Sequence, residues 1–394
     1  MGRTHLPCHT GTRNPVIRIC FIIDKLNRGG AERQFIELVK GFDRRRFTVS
    51  VIVLGHGGDL RPDLENQHDL DIYTVPRKKL LPTPAFLTRL YRVLKHIRPS
   101  LMYGFMGGTN EICLLMGRFV GARVIWGIRN SNMDLAHYGW TSRLLFTTGA
   151  LLSRHVDLII VNSSAGRDHH ASHGYASEKM VVIPNGINTT TFFPDQKAGH
   201  AFRSTMGIGE NEILIGHVGR IDPMKDHETF LRAASLISNQ RSDLRFLCVG
   251  DGEIHYRERL RRLSRELGLE KNLLWTGMIE DMTAVYNGID ILTSSSSFGE
   301  GFPNVIGEAM ACGRICVVTY VGDSSLIVGE TGEVVPPRDP HALVDAWEKV
   351  LVLSLNDRMA RGEAARKRIL DTFTTAHLVR NTSEHLLSVV ERGV

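Results

Sequence analysis

The sequence predicts an α/β protein with two doubly wound domains, each built around a parallel β-sheet. Its 394 residues exceed the size of one ordinary hydrophobic core, because single domains usually stop growing near roughly 250–300 residues. Strand-like and helix-like segments alternate in each half of the chain, which is the pattern of parallel β-α-β units. A stretch rich in turn-forming Pro and Gly, at 183–195, separates the two halves.

Apolar runs typical of buried strands alternate with amphipathic stretches through the first half. The predicted strands there are 17–23, 48–54, 72–75, 101–105, 123–126 and 158–161, and the predicted helices are 31–41 and 86–98. The alternation restarts after residue 195. The predicted strands of the second half are 213–218, 245–249, 273–275, 290–293 and 315–319, and its predicted helices are 227–237, 257–267 and 304–311.

These segments divide the chain into four parts. From 340 to 394 the pattern is helical throughout, and we expect its end to cross back to the first domain. The predicted parts are a loose tail at 1–15, a first Rossmann-like domain at 16–195, a second Rossmann-like domain at 196–375, and a C-terminal helix at 376–394.

Composition excludes several classes of protein. The apolar runs fall far short of the roughly 20 residues that span a bilayer, and the first fifteen residues lack the apolar core of a secretory signal. The six cysteines are scattered, mostly in strand-like runs, which favours the reducing cytoplasm. We therefore expect a cytoplasmic protein without membrane-spanning segments.

The net charge of +6 is unevenly distributed. Residues 1–195 hold 25 Lys and Arg against 15 Asp and Glu, whereas residues 196–394 hold 23 against 27. A positive first half can attract anionic substrates or rest on the inner face of an anionic membrane. Nucleic acid is a weaker interpretation, because no nucleic-acid-binding motif is present and few aromatic residues lie among the basic ones.

Three loops carry residues suited to binding a phosphorylated ligand. The first joins the first strand to the first helix and contains Gly29 and Gly30, where a ligand can approach the backbone and the following helix offers unpaired N–H groups. A tight turn without a ligand explains the glycine pair equally well. The second loop, in Gly216-His-Val-Gly-Arg-Ile-Asp-Pro-Met-Lys-Asp226, places Arg220 and Lys225 where both can reach one diphosphate. Two solvated surface charges are the alternative.

The third loop lies between the predicted strands at 290–293 and 315–319. It is irregular around Gly299 to Pro303 and leads into the helix at 304–311, whose first N–H groups are free to hold a phosphate. Glu300 on the loop and Glu308 on the helix are carboxylates that can accept hydrogen bonds from neighbouring sugar hydroxyls. The alternative is that Glu300 and Glu308 are simply two acidic residues flanking a turn, with no ligand.

Taken together, these motifs resemble retaining GT-B glycosyltransferases of family 4, and the similarity runs over nearly the whole chain. One of the motifs alone would be weak evidence, whereas several in this order are specific. The resemblance rests on Gly29 to Ala31, on Gly219, Arg220 and Lys225, on the spacing of Glu300 and Glu308, and on the phrases Val182-Ile-Pro-Asn-Gly-Ile187 and Val249-Gly-Asp-Gly252.

The resemblance implies two Rossmann-like domains facing each other across a cleft, with the acceptor on the first and the nucleotide-sugar on the second. Arg220 and Lys225 would bind the donor diphosphate and offset the charge on the leaving group, with no metal and no cofactor. Glu308 would bind the ribose, and Glu300 would hold the donor sugar close to its anomeric carbon. The implied catalytic residues are Glu300, Arg220 and Lys225. The implied donor-binding residues are Gly30, Arg220, Lys225, Met278, Gly301, Phe302, Pro303, Asn304, Val305 and Glu308.

The sequence departs from the family pattern after the predicted strand at 123–126. Arg129 stands where many relatives carry a His, and an arginine cannot accept a proton at neutral pH. Arg129 and Asn130 would instead orient the donor sugar or hold an anionic acceptor, together with Gly29. The role of the family's His is not carried over.

Other candidate residues favour structural explanations. His169 and His173 have a spacing that binds zinc on a helix, but no carboxylate completes the motif of a metalloprotease, so a partly exposed helix surface is the better explanation. Cys312 and Cys316 lack the second pair of a zinc site and are expected in the core. The basic residues of the helix at 86–98 beside its apolar stripe are more typical of a solvated edge than of a membrane contact.

The sequence thus predicts a retaining glycosyltransferase that moves a sugar from a nucleotide donor to a glycan or lipid-linked acceptor in surface polysaccharide or glycolipid synthesis. A UDP-sugar is the default donor, because uridine is the commonest base in such enzymes. The alternatives are a sugar-nucleotide epimerase or a phosphorylase on the same fold, or a non-catalytic protein that binds sugar nucleotides or a membrane surface. No motif for the pyridoxal lysine of a phosphorylase is present.

Overall fold

A computed structural model describes residues 16–77, 83–129, 131 and 140–392, without the side chains of 140–142 and 145. The tail predicted at 1–15 and Asn130 lie outside the described residues. The described chain contains two parallel sheets flanked by helices, so the prediction of two Rossmann-like domains is confirmed. No described helix combines the length and hydropathy needed to cross a bilayer.

The first sheet has seven parallel strands in the order β3-β2-β1-β4-β5-β6-β7. Its strands are β1 (Ile17–Ile23), β2 (Phe47–Val53), β3 (Asp71–Thr74), β4 (Leu101–Phe105), β5 (Arg123–Ile128), β6 (Leu158–Val161) and β7 (Met180–Val182). Its helices are α1 (Gly30–Gly41), α2 (Arg61–Glu65), α3 (Pro84–Ile97), α4 (Thr109–Val120), α5 (Trp140–Leu152) and α6 (Ser164–Ser172).

The second sheet has six parallel strands in the order β10-β9-β8-β11-β12-β13. Its strands are β8 (Ile213–Val218), β9 (Leu244–Val249), β10 (Leu273–Gly277), β11 (Ile291–Ser294), β12 (Ile315–Thr319) and β13 (Glu333–Val335). The helices around it are α7 (Gln196–Met206), α8 (His227–Ser238), α9 (Ile254–Glu266), α10 (Met282–Gly288), α11 (Asn304–Ala311), α12 (Ser324–Val328), α13 (Pro340–Leu351) and α14 (Leu355–Thr372), and the last helix is α15 (Thr375–Glu391).

Each sheet is covered on both faces, and alternate side chains of a strand enter different cores. In β1, Ile19 and Phe21 face the core under α1, whereas Cys20 and Ile22 face the core under α3 and α4. Because both faces are buried, the central strands are apolar along most of their length. This explains why apolar runs alone located most of them.

The chain crosses from one domain to the other at two places, and the two crossing segments are hydrogen-bonded to each other. The Ile187 N–H donates to the Phe373 carbonyl at 2.7 Å, and the Thr375 N–H donates to the Ile187 carbonyl at 3.1 Å. Gln34 of α1 exchanges two hydrogen bonds of 2.8 Å with the backbone of Gly186. A side chain on Gly186 would collide with Thr375, since an added Cβ would lie 2.6 Å from its Cα.

Helix α15 packs against α1 of the first domain. Its residues Leu378, Leu386 and Val389 are buried in the same core as Phe35 and Leu38 of α1. Helix α15 therefore follows the second domain along the chain but packs on the first, and this contact joins the two domains a third time.

Candidate active site

The loops that follow the strands of the two sheets meet between the domains. In a parallel sheet the carboxyl ends of all strands lie at one edge, which is where ligands of open α/β sheets bind. The second domain contributes the loops after β8, β10 and β11, and the first domain contributes those after β1, β5 and β6. The three loops singled out from the sequence all lie here.

Lys225 and Glu300 form a buried ion pair at the centre of this region. The Nζ of Lys225 lies 2.5 Å from Oε1 of Glu300, and only 13% and 8% of the two side chains are exposed. The hydroxyl of Ser296 donates to the same oxygen at 2.6 Å. Ser131, from the first domain, donates to the backbone carbonyl of Glu300. The carboxylate is thus held by two donors, while the loop carrying it is held by the opposite domain.

The loop after β8 fixes Lys225 through its own turn. Asp222 accepts from the Met224 N–H at 3.0 Å, and Asp226 adopts a left-handed conformation with φ of 47°. The side chain of Asp226 then caps α8 by accepting from the Thr229 N–H at 3.2 Å. A short polar side chain tolerates this conformation and satisfies the helix end at the same time.

Arg220 lies on the same loop but has a different environment. Its guanidinium is 3.1 Å from Oδ2 of Asp222, and 68% of its side chain is exposed. Lys225 is engaged with Glu300, so the two cations hold different partners in this structure. A diphosphate that binds both must draw Lys225 away from Glu300 or share it.

Glu308 is buried on α11 and has its own partner. The hydroxyl of Tyr286 donates to its Oε2 at 2.6 Å. Burial raises the pKa of the Glu308 carboxyl, against the lowering effect of the Tyr286 hydrogen bond and of the nearby charges of Arg33 and Lys225. A cavity of about 310 Å³ adjoins Glu308, between α1 and residues 280–283.

The N-termini of α1 and α11 meet across the cleft. The side chain of Asn304, the first residue of α11, donates to the Gly30 carbonyl at 3.2 Å, and it also accepts from Asn185 at 2.8 Å. An added Cβ on Gly30 would lie 3.3 Å from that Asn304 amide, so a larger residue there would press on α11. Two helix N-termini with unpaired N–H groups and positive dipole ends converge here, and both features favour an anion.

The remaining predicted donor residues surround this point. Gly301 is buried against the first domain, where an added Cβ would lie 2.9 Å from Oδ1 of Asn162. Phe302 is buried beside Phe373, Pro303 precedes α11 as its N-cap residue, and Val305 packs on the core beneath. Together they fix the loop rather than offer side-chain ligands.

Met278 follows the last residue of β10 and is 68% exposed. The chain turns there because Gly277 has φ of 71°, a conformation that favours glycine. Two residues further along the loop, Glu280 forms an ion pair with Arg28 of the first domain, with 2.9 Å between the carboxylate and the guanidinium. Met278 therefore stands at an exposed edge of the cleft.

Of the predicted acceptor residues, Arg129 is tied to its own domain. Its guanidinium donates to Asn185 at 3.3 Å and to the Tyr103 hydroxyl at 3.2 Å, and it lies 4.3 Å above the ring of Phe105. Burial raises the pKa of Tyr103, and the charge and hydrogen bond of Arg129 oppose that shift. Arg129 thus connects the end of β5 to the passage between the domains.

Gly29 is the N-cap residue of α1. An added Cβ there would lie 2.1 Å from Oε2 of Glu32, which is the end of a flexible side chain. The crowding at Gly29 therefore comes from its own helix. Asn130, the third predicted acceptor residue, lies outside the described residues.

Several residues of the site were missed by sequence reasoning. Asp323, after β12, accepts from the N–H groups of Ser164 and Ala165 at 2.7 and 3.0 Å, so a carboxylate of the second domain caps α6 of the first. Its own N–H donates to the Gly301 carbonyl at 2.9 Å. Ser296 stands in a run of serines before Glu300, a visible polar signal, whereas no local signal marks Asp323 or Ser131.

The structural explanations for the cysteines and for the histidine helix are confirmed. Cys312 and Cys316 are buried in a core of the second domain. The rings of His169 and His173 are tilted to each other with centroids 4.4 Å apart beside Phe146; His173 is exposed and the intervening His170 is buried, so the helix surface is partly exposed as predicted. Within the described residues, no three His, Cys, Asp or Glu side chains are grouped as metal ligands.

This geometry, with two facing Rossmann-like domains and a basic and acidic pair between them, is that of a GT-B glycosyltransferase. Residues 28–191 match Glycosyltransferase Family 4, and residues 212–352 match Glycosyl transferases group 1. The chain belongs to the family 4 glycosyltransferases.

Similar proteins agree with this assignment. The chain is 23% identical to putative glycosyltransferase EpsF of Bacillus subtilis, over 77% of this chain and 79% of the relative. It is 26% identical to GDP-mannose-dependent alpha-(1-6)-phosphatidylinositol monomannoside mannosyltransferase of Mycolicibacterium smegmatis, over 76% of this chain and 79% of that protein. A match to D-inositol 3-phosphate glycosyltransferase of Corynebacterium jeikeium is 31% identical but covers 53% of this chain and 52% of that relative.

The fold has close counterparts among solved structures. Anabaena HepE in complex with UDP and glucose superposes with a TM-score of 0.82 and 21% sequence identity, covering 94% of this chain and all of that one. Identity at this level shows the fold. Together, the family matches and the fold support glycosyltransferase activity in glycan or glycolipid synthesis.

Proposed function

We propose that the protein transfers a sugar from a UDP-sugar to a glycan or lipid-linked acceptor, with retention at the anomeric carbon. The observation that carries this proposal is the buried Lys225–Glu300 pair, which lies in the cleft lined by the loop before α1 and the N-terminus of α11. The second domain (196–375) binds the donor and the first domain (16–195) binds the acceptor. The activity makes the protein part of surface polysaccharide or glycolipid synthesis.

The donor diphosphate binds between the two facing helix N-termini. Gly30 leaves room for it on the first domain, and the backbone of residues 302–305 faces it from the second. Arg220, now paired with Asp222 on the surface, swings onto the phosphates, where its planar guanidinium can make two hydrogen bonds. Lys225 contributes a second positive charge, and Glu308 accepts hydrogen bonds from the ribose.

In the reaction, the bond between the anomeric carbon and the diphosphate oxygen breaks, and the acceptor oxygen forms the new bond on the same face. The acceptor's proton passes to the departing phosphate oxygen. Lys225 and Arg220 stabilise the charge that accumulates there, and such electrostatic stabilisation is usually the largest single term in catalysis. Glu300 holds the sugar's hydroxyls, because its carboxylate is already oriented by Lys225 and Ser296.

We propose that the two cations perform this role without a metal ion. The positive charges of Arg220 and Lys225 would neutralise the leaving diphosphate, which is the role that a divalent cation has in metal-dependent enzymes. Transfer measured before and after treatment with a chelator tests this point. Unchanged rates are expected, and loss of activity that added Mg²⁺ or Mn²⁺ restores would contradict it.

We propose a uridine base for the donor and a lipid-linked acceptor. UDP is favoured because the HepE structure holds UDP, whereas the mannosyltransferase relative names GDP-mannose. The base would lie beside Met278 and Ile279. A lipid-linked acceptor is consistent with the relative named for a phosphatidylinositol mannoside, and it would place the protein at the inner face of the cytoplasmic membrane.

Thermal-shift measurements with UDP-, GDP- and ADP-sugars test the donor assignment. A ligand that binds only the native state raises the melting temperature as its concentration exceeds its dissociation constant. We expect the largest shift with a UDP-sugar. A larger shift with GDP-sugars would reassign the base. A separate assay without acceptor tests the alternative reaction, because a new isomer of the donor sugar would indicate an epimerase instead of a transferase.

A further inference from the structure

Two buried polar side chains lie beneath the loop after β8 and have no part in the proposed reaction. His217 is on β8, Ser295 follows β11, and both are buried. The two strands are paired in the sheet, with Thr293 opposite His217. This pairing places His217 and Ser295 together at the carboxyl edge of the sheet, under the segment that carries Lys225.

Both side chains hydrogen-bond to the backbone of Lys225 and Asp226. The Nε2 of His217 lies 3.2 Å from the Lys225 carbonyl oxygen and 3.0 Å from Oγ of Ser295. The Ser295 hydroxyl lies 2.9 Å from the Asp226 carbonyl oxygen and 3.1 Å from that of Lys225. Two neighbouring carbonyl groups of the loop are thus held by two side chains of the sheet.

The partners of His217 determine which of its nitrogens carries the proton. A carbonyl oxygen only accepts, so Nε2 is the protonated nitrogen and donates. Burial, together with the charge of Lys225, lowers the pKa of His217 to about 3, so the ring is neutral at neutral pH and adds no charge beside the ammonium group. Nδ1 is then an acceptor, and it has no hydrogen-bond partner among the described residues.

An unpartnered nitrogen makes histidine a costly residue at position 217. Burying a polar atom without a hydrogen bond costs free energy, and a phenyl ring of similar size would avoid that cost. What a phenyl ring lacks is the N–H group that donates to the Lys225 carbonyl. Packing alone therefore does not explain this histidine, whereas its contact with the Lys225 backbone does.

The backbone of Lys225 is also held from other sides. Its N–H donates to the Asp222 carbonyl at 2.9 Å, and the Ser297 N–H donates to the Met224 carbonyl at 2.9 Å. The aliphatic part of the Lys225 side chain lies along Gly219, where an added Cβ would be 3.4 Å from Cε of the lysine. The ammonium group therefore moves about a fixed Cα, and the position of this backbone sets its reach.

The serine next to Ser295 acts on the other member of the ion pair. Ser296 donates to the Glu300 carboxylate at 2.6 Å, and the Thr319 hydroxyl donates to the Ser296 carbonyl at 2.6 Å. The two neighbouring serines thus hold the two members of the ion pair from one short segment after β11.

We propose that His217 and Ser295 are positioning residues that set the place of the Lys225 ammonium group for transfer. They act on the backbone of Lys225 and touch neither the donor nor the acceptor. Because Lys225 stabilises charge that develops on the leaving group, a displaced backbone should lower the rate of transfer more than the affinity for the donor. The effect on transfer rests on the proposed function, whereas the effect on the contact between Lys225 and Glu300 does not.

Steady-state kinetics test the effect on transfer. His217→Phe keeps a ring and removes the N–H donor, and Ser295→Ala removes the hydroxyl. Each should lower kcat by about tenfold or more while the donor KM changes by less than about threefold. His217→Gln restores an N–H donor and should recover most of the lost kcat.

His227→Phe is the matched control. The His227 ring is also buried and its centroid lies 4.1 Å from that of His217, but neither of its nitrogens has a hydrogen-bond partner among the residues that the structure describes. This variant should keep kcat within about twofold of the original protein. A loss in His227→Phe equal to that in His217→Phe, or an unchanged kcat in both His217→Phe and Ser295→Ala, would overturn the proposal.

Unfolding in urea tests the positioning without a transfer assay. The coupling free energy between Lys225 and Glu300 follows from the unfolding of Lys225→Met, Glu300→Gln and the double variant. In the His217→Phe and Ser295→Ala backgrounds it should fall to less than about half, because the ammonium group is no longer held against the carboxylate. In the His227→Phe background it should be unchanged. A coupling free energy that persists in both test backgrounds would contradict the positioning role.

The two measurements separate this proposal from the proposed reaction. Loss of coupling in a protein that transfers sugar from no donor would support the positioning role and contradict the transferase. Sugar transfer that neither His217→Phe nor Ser295→Ala reduces would contradict the positioning role alone.

Discussion

The ammonium group of Lys225 and the carboxylate of Glu300 are in direct contact, although the two are assigned to different parts of the donor. Their distance of 2.5 Å and their burial make them one unit before the donor binds. A diphosphate that attracts Lys225 therefore also changes what Glu300 can hold. The pair couples binding of the leaving group to placement of the sugar.

Replacing either member should abolish transfer. Glu300→Gln keeps the shape of the side chain and can still accept from Ser296, but it removes the negative charge. Lys225→Met keeps the length and removes the positive charge. We expect kcat/KM to fall by roughly a thousandfold in each, similar to the loss of one preorganised donor in an oxyanion-type site. Sugar transfer measured by nucleoside diphosphate release checks this, and turnover near that of the original protein in either variant would refute the assignment.

Combining the two substitutions separates stability from catalysis. Each single change leaves a buried charge without its partner, which commonly costs about 3–5 kcal/mol. Lys225→Met/Glu300→Gln removes both charges, so the double variant should recover much of the lost free energy of unfolding in urea. It should not recover transfer. Recovery of activity along with stability would mean that the pair is only structural.

Glu308 should act mainly on donor affinity. Glu308→Gln retains a hydrogen bond with Tyr286 and loses the charged acceptor for the ribose, so the donor KM should rise by about tenfold or more with a smaller effect on kcat. Steady-state kinetics over a donor titration measure both. A fall in kcat alone would place Glu308 at the reacting sugar.

Tyr286→Phe should shift the pH dependence of donor binding. The Tyr286 hydrogen bond lowers the pKa of Glu308, which burial raises. Removing the hydroxyl therefore raises that pKa further, and Glu308 becomes protonated at a higher pH as the solution is acidified. In this variant, the loss of donor affinity on acidification should therefore begin at a higher pH. An unchanged profile would show that Glu308 is not the titrating group.

Asp323 should control closure of the cleft. Asp323→Ala removes the acceptor for two N–H groups of α6, a loss worth about 1 kcal/mol at a helix cap. We expect a larger radius of gyration in X-ray scattering and a higher donor KM. The two N–H groups donate to different oxygens of Asp323, and Asp323→Asn keeps only one of these acceptors, so it should show a smaller change than Asp323→Ala in both measurements. Equal behaviour of the two variants would exclude the capping role.

Acid should destabilise the protein through its buried histidines. Burial lowers the pKa of His217 to about 3 and that of His170 to about 4, and it lowers the pKa of His227 in the same direction. Below the ordinary histidine pKa the unfolded chain binds protons that the folded one does not. Stability is therefore fully present above that pKa and is lost as the pH falls toward the depressed values, by about 1.4 kcal/mol per histidine and pH unit.

Urea unfolding at pH 7.5, 6 and 5 measures this trend. His217→Asn should weaken the dependence on pH, because one buried titrating group is gone. A steeper dependence in the variant than in the original protein would contradict the assignment.

Most of the fold could be predicted because parallel strands buried on both faces are apolar along most of their length. The predicted strands at 17–23, 101–105, 158–161, 213–218 and 315–319 coincide with those observed. The short edge strands β7 and β13, of three residues each, were missed because so short a run has no distinguishable period. The predicted helix at 257–267 begins earlier, at Ile254, because Glu253 caps it.

The site was predictable only as far as its residues lie in local motifs. Glu300, Glu308 and Lys225 stand in loops whose glycines and helix starts are visible in the sequence. Ser131 and Asp323 act through backbone groups of the opposite domain. Such contacts depend on how two separately folded sheets face each other, and no local pattern of residues encodes that arrangement.

The most direct test of the account follows radiolabelled sugar from UDP-glucose, UDP-galactose or GDP-mannose into membranes of cells that make the protein. The original protein should transfer label from one of these donors into the lipid or glycan fraction. Glu300→Gln should bind the nucleotide with similar affinity and transfer no label. Equal transfer by Glu300→Gln, or a properly folded original protein that binds none of the nucleotides, would contradict the central claim that the Lys225–Glu300 pair drives sugar transfer.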